Sequence, residues 1–222
     1  MEGQYHRNRH RPFHLYGGHT YFVTGRWYGG KRYMRSDVRK EVWKAMFRES
    51  IKRFHIRLYS WVLLDNHYHI LFSLPQAIDV ANDSTETDFV LAQSVTPRTE
   101  KARSDEMSEE NFVTLDGKYT LVEFIRKLHK DSARSYNKQD NTPGRKVWYQ
   151  YWDYCIRNKA DFWKHFNYIV KNPFKHGLVD SLSEAYTYPF SSNPVWLNRF
   201  GVDGLWESFV RYPVAEVFSN DE

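Results

Sequence analysis

The chain has 222 residues, 41% of them apolar, with 15 Phe, 16 Tyr and 8 Trp, which suffices for one well-filled core and for no more than two small domains. Cys155 is the single cysteine, which excludes an intramolecular disulfide and a multi-cysteine zinc cluster, and no run of about 18 apolar residues is present to span a bilayer. The formal charge of +5 is unevenly spread: ten acidic and four basic residues fall between Asp79 and Lys118, so the remainder carries 28 basic against 17 acidic residues and suits a polyanionic partner.

Residues 1–19 form a basic, histidine-rich arm that includes Arg7, Arg9 and Arg11 and has no apolar stretch of signal-peptide type, so a soluble intracellular protein is expected. Residues 20–28 are rich in β-branched and aromatic side chains and run into Gly29-Gly30, a first strand and turn. Ser36 or Asp37 can cap a helix to about Phe54, with a rough apolar stripe through Val38, Val42, Ala45 and Met46. A second strand over 56–64 meets the turn residues Asp65-Asn66 and returns as His67-Tyr-His-Ile-Leu-Phe-Ser-Leu74, an antiparallel hairpin. Because strand side chains alternate, His67, His69, Leu71 and Ser73 share one face while Tyr68, Ile70 and Phe72 share the core face.

Periodicity fades over 76–118, where Asp, Glu, Ser and Thr dominate, the composition of a flexible acidic insertion. Thr120-Leu-Val-Glu123 is a capping box, and Leu121, Phe124, Ile125, Leu128, Ser132 and Tyr136 mark the buried face of a helix ending near Asn141-Thr-Pro-Gly144. A fourth strand over 147–156 completes an α+β, ferredoxin-like βαββαβ arrangement: a four-stranded antiparallel sheet with two helices on one face and the other open for a partner. An additional helix over 159–172, ended by Pro173, buries Phe162, Phe166, Ile169 and Val170 and turns Tyr168 away from that stripe, with Lys164 and Asn172 on Tyr168's side. Residues 181–222 are a C-terminal extension of loop plus a short helix, so 20–180 is the expected catalytic domain.

A His-x-His pair is a weak metal signal by itself, and a lone tyrosine on a helix is ordinarily a surface residue. Together, two imidazoles on a rigid strand, a tyrosine off the core and a polar side chain one helical turn away suit phosphoryl transfer, in which a divalent metal polarises the phosphate and the tyrosine is the nucleophile. His55, His129, His165 and His176 are read as capping or surface residues, with His165 able to approach the site because it lies three residues before Tyr168.

The order Tyr21-Phe-Val-Thr, Asp65-Asn-His-Tyr-His-Ile-Leu-Phe72, Arg145-Lys-Val-Trp-Tyr-Gln-Tyr-Trp-Asp153 and Tyr168-Ile-Val-Lys-Asn-Pro-Phe-Lys-His-Gly177 resembles the single-tyrosine HUH transposases, and within them the REP-associated tyrosine transposases. Tyr188-Pro-Phe-Ser-Ser192 is similar to the family's closing segment. The resemblance implies that His67 and His69 bind Mg²⁺ or Mn²⁺, with Asn172 in the place of a polar third ligand. It implies that Tyr168 attacks single-stranded DNA beside a palindromic hairpin, leaving a 5′-phosphotyrosine and a free 3′-hydroxyl that can later rejoin. It further implies a bacterial cytoplasmic, nucleoid-associated protein acting as a monomer or as a homodimer that exchanges the tyrosine helix, without a membrane partner. Arg7, Arg9, Arg11, Arg26, Lys164 and Lys171 are the candidate DNA contacts. Two departures stand out: the acidic insertion is long for the family, and Tyr68 replaces the usual aliphatic residue between the histidines. The competing readings are a non-catalytic nucleic-acid-binding protein on a ferredoxin-like sheet and a metallohydrolase that uses the histidines without Tyr168.

Overall fold

A computed structural model describes residues 19–75 and 121–214. The arm, the acidic insertion, the Thr120 cap and the last eight residues lie outside them. In chain order the elements are β1 (Thr20–Trp27), a 3₁₀ turn (Tyr28–Gly30), α1 (Asp37–Arg53), β2 (Arg57–Leu63), β3 (His67–Ser73), α2 (Leu121–Gln139), β4 (Trp148–Cys155), α3 (Lys159–Lys175), α4 (Leu182–Ala185) and α5 (Asn193–Arg211). The strands form one antiparallel sheet in the order β2-β3-β1-β4, the ferredoxin-like arrangement expected from the sequence. Among the described residues no helix is long and apolar enough to cross a membrane.

One face of the sheet is a buried aromatic core under α1 and α2. Tyr68 packs against Trp43 of α1 and Trp148 of β4, and Phe72 meets Phe124 of α2. The Tyr68 ring lies directly on the β1 backbone at Gly25, where a Cβ atom would sit 2.3 Å from two ring carbons. Its hydroxyl hydrogen-bonds His129 Nε2 at 2.8 Å, and that imidazole stacks on Trp148 with centroids 4.1 Å apart. The large residue between the two histidines is therefore accommodated by a missing side chain on the neighbouring strand. His129, expected at a cap or the surface, is instead half-buried at the edge of the core, held by Tyr68 and Trp148.

The second face is only half open. Helix α3 lies over β2 and β3, so it packs on two sides: Phe162 and Phe166 meet Tyr59 and Trp196, while His165 and Tyr168 meet Phe22 of the sheet. For that reason Tyr168, expected to turn off the core, is buried at 3% exposure, and His165 is buried too. The helix also passes Pro173 and ends at Lys175, giving up the one i→i−4 hydrogen bond that the proline nitrogen cannot donate.

The tail carries more helix than expected. Residues 188–196 seal the outer edge of β2: the Leu63 N–H donates to the Phe190 carbonyl, the Ser192 N–H to the Trp61 carbonyl, and Trp196 Nε1 to the Tyr59 carbonyl. An exposed row of strand N–H and C=O groups is thereby removed. Asn193 Nδ2 donates to the carbonyls of Val170 and Ala185, tying α5 to α3 and α4, and α5 itself kinks at Gly201. Lys40 of α1 is buried between Asp65 Oδ1 and the Tyr188 hydroxyl, each 3.1 Å away. Burial alone would depress its pKa, but these two partners outweigh that and hold it above the usual lysine value.

Candidate active site

Pairing fixes which way the histidines point. Thr24 lies opposite His69 and Arg26 opposite His67, so all four share the face that α3 covers. The Thr24 hydroxyl lies 2.8 Å from His69 Nδ1, and Asn66 Oδ1 lies 2.6 Å from His67 Nδ1. Since an amide oxygen can only accept, His67 Nδ1 carries its proton and its Nε2 lone pair is free. The two rings stand 4.8 Å apart, nearly perpendicular.

Helix α3 supplies the facing residues. The Tyr168 ring lies 5.1 Å from that of His69, edge to face, and Lys175 Nζ is 5.4 Å from the Tyr168 centroid. Asn172, one turn after Tyr168, donates Nδ2 to the Tyr168 carbonyl at 2.8 Å, which leaves Oδ1 turned the other way. His69 Nε2 and Asn172 Oδ1 are both buried with no hydrogen-bond partner. Two buried polar atoms left unsatisfied carry a free-energy penalty that a shared electrophile would remove.

Both imidazoles are held neutral. Burial pulls the pKa of His67 down to about 3, the nearby His176, Arg26 and Lys175 add to the depression, and the Asn172 side chain opposes it. Burial pushes His69 well below the usual histidine value, reinforced by His67, His176, Arg26 and Lys175. Neutral imidazole is the form that binds metal. Among the described residues no three His, Cys, Asp or Glu side chains gather into a metal cluster. Two imidazoles and the Asn172 amide oxygen nevertheless fit a divalent cation, and imidazole donors suit Mn²⁺ better than Mg²⁺.

The structure thus brings His67, His69, Tyr168 and Asn172 together. It does not do the same for Lys164 and Lys171. At ~100° per residue the sheet-facing row of α3 runs through Asp161, His165, Tyr168, Asn172 and His176, and both lysines, half-buried, lie on one flank of it. Arg26 is near, since it lies opposite His67 on the paired strand. Arg7, Arg9 and Arg11 lie outside the described residues. Sequence reasoning missed Lys175 and His176, whose ring lies 4.8 Å from that of His67. Their spacings of seven and eight from Tyr168, two helical turns, were the available signal, hidden by the expectation that Pro173 ends the helix. His165, read from the sequence as a capping or surface residue, is buried because α3 packs on two sides: its Nδ1 donates to the Asp161 carbonyl at 2.8 Å and its ring stacks on Tyr154 of β4.

A histidine pair on an inner strand, facing a tyrosine and an asparagine one turn apart on a helix over a ferredoxin-like sheet, is the architecture that the resemblance to single-tyrosine HUH proteins implies. Within that class the chain resembles the REP-associated tyrosine transposases. It is 33% identical over 76 residues to a Haemophilus influenzae protein provisionally named a REP-associated tyrosine transposase, covering 33% of this chain and 41% of the relative. It is 42% identical over 43 residues to the Escherichia coli K12 REP-associated tyrosine transposase, covering 19% of this chain and 24% of that one. The matches thus span less than half the length of either relative. A solved structure of a REP-associated tyrosine transposase bound to a REP hairpin overlays with a TM-score of 0.49 and 22% identity, covering 86% of this chain and 84% of that one. No protein-family model matches the chain.

Proposed function

We propose that the protein is a metal-dependent, single-tyrosine DNA strand transferase that acts on single-stranded DNA beside a palindromic hairpin. One observation carries the reading: Tyr168 is buried against His69, beside two buried donor atoms, His69 Nε2 and Asn172 Oδ1, that have no hydrogen-bond partner. A purely binding role gives no reason to bury such a set, whereas phosphoryl transfer does.

His67, His69 and Asn172 would hold a divalent cation, Mg²⁺ or Mn²⁺, which when bound polarises the scissile phosphate and neutralises developing charge. The Tyr168 oxygen forms the new bond to phosphorus while the bond from phosphorus to the 3′ oxygen breaks. The tyrosine proton is released, the 3′ oxygen takes up a proton to become a free hydroxyl, and the 5′ side remains on the enzyme as a phosphotyrosine. Attack by a 3′-hydroxyl reverses the exchange, so no other energy source is needed. The Lys175 ammonium and the Arg26 guanidinium supply positive charge for the phosphate. Thr24 and Asn66 fix the imidazole orientations, and their loss should weaken metal binding by roughly 10- to 100-fold.

The test is covalent adduct formation. Protein, Mn²⁺ and a labelled hairpin oligonucleotide with unpaired flanks should give a denaturation-resistant complex that is absent with Tyr168→Phe. Equal adduct from Tyr168→Phe means that another residue attacks. Salt-sensitive DNA binding with no adduct under any metal condition would favour a binding-only protein.

A further inference from the structure

Helix α3 lies over β2 and β3, and the β1–β4 half of the same face bears exposed rings. Gly25 pairs with Tyr151 and Trp27 with Trp148, so Tyr149 and Gln150 both oppose Arg26 across a β-bulge and share its face. Trp152 pairs with Thr24, the residue that holds His69. Tyr28, Tyr149 and Trp152 are 44%, 54% and 39% exposed, although large rings are ordinarily buried. The Tyr28 and Tyr149 rings lie 6.3 Å apart, and Lys146 Nζ stands 4.4 Å from the first centroid and 5.7 Å from the second. The strip runs past Arg26, which lies opposite His67, so it is continuous with the candidate active site.

We propose that Tyr28, Tyr149 and Trp152 form a stacking platform for unpaired DNA bases on the strand that enters the candidate active site, with Arg26 and Lys146 on its phosphates. Flat π surfaces interleaved with cations complement a single strand, whose bases offer π faces and whose backbone is a polyanion. A protein partner would find an apolar surface interrupted by charge, and a fully paired duplex would keep its base faces to itself. The platform rests on the reading that the site acts on single-stranded DNA, and it adds the means by which the strand is laid across the sheet.

Affinity is measured by fluorescence anisotropy, without metal and in the Tyr168→Phe background, for a hairpin with an unpaired flank and for the same hairpin with blunt ends. Tyr149→Ala and Trp152→Ala should each weaken the flanked hairpin by about tenfold and leave the blunt one unchanged. Tyr149→Phe, which keeps the ring, should bind like the parent, as should Trp206→Ala, an exposed tryptophan on α5. A Tyr149→Ala/Trp152→Ala double variant with full affinity, or an equal loss on the blunt hairpin, overturns the platform. So does a flanked RNA hairpin bound in preference to DNA. As a measurement that needs no variant, 5-iodouracil in the flank should photo-crosslink to Tyr149 or Trp152, and crosslinks confined to other residues overturn the assignment. Binding is scored separately from the Tyr168 adduct, so failure of the nucleophile and failure of the platform give different results.

Discussion

Gly25 and Tyr68 act as one unit. The ring occupies the space that any side chain on Gly25 would need, and the hydroxyl is anchored to His129, so the ring cannot retreat without breaking that bond. Gly25→Ala should therefore cost about 2 kcal/mol, read as a lower urea midpoint, and Gly25→Ala with Tyr68→Leu should recover much of the loss. Burial lowers His129 to about 3, and burial with nearby positive charge does the same to His67, against about 6.5 in the unfolded chain. The unfolded chain therefore takes up protons that the folded protein refuses, and stability is full above about pH 6.5 and is lost as pH falls toward 3. Each group contributes up to about 1.4 kcal/mol per pH unit in that window, and urea midpoints at pH 7.5, 6 and 5 should fall accordingly, less steeply for His129→Asn. Between pH 8 and 5 the two candidate ligand histidines stay neutral in the folded protein. Mn²⁺ affinity by titration calorimetry should thus be nearly flat from pH 8 to 5, where ordinary histidines would lose metal below about 6.5.

Helix α1 is pinned to the sheet through Lys40, which links Asp65 in the β2–β3 turn with Tyr188 of the tail, and the Tyr188 hydroxyl donates onward to the Leu63 carbonyl. Lys40→Ala strands Asp65 and should destabilise the protein by about 2 kcal/mol in chemical denaturation, whereas Lys40→Met, which keeps the packed stem, should cost less. The strands and helix α2 were legible because alternation and helical periodicity speak for one buried face each; the extent of α1 was legible too, but its stripe was misread, since Val38 and Ala45 are exposed and Trp43, Phe47 and Ile51 are buried instead. The His67/His69 facing was legible for the same reason. Helix α3 was not, because it is buried on two sides and a single-stripe reading turns Tyr168 and His165 toward solvent. Nor could the aromatic strip be read, since its facing depends on a bulge that breaks the alternation of β4. The tail helix escaped because Gly201 interrupts its pattern.

At the scale of the whole molecule, Tyr168 meets the histidines of its own chain, and Asn193 ties α3 to the tail that seals the sheet edge. Mixing Tyr168→Phe protein with His67→Ala protein in equal amounts should therefore give no adduct, whereas a randomly assorted helix-exchanging dimer would restore up to about a quarter of its sites. The tail that locks this arrangement is also the last part of the sheet to leave the ribosome. β1, β2 and β3 are made early, but the β2 edge stays unprotected until residues 188–192 emerge and bond to it. A chain truncated before Tyr188 would thus expose a ready edge strand to other copies, so premature termination should yield aggregates rather than a shorter folded protein.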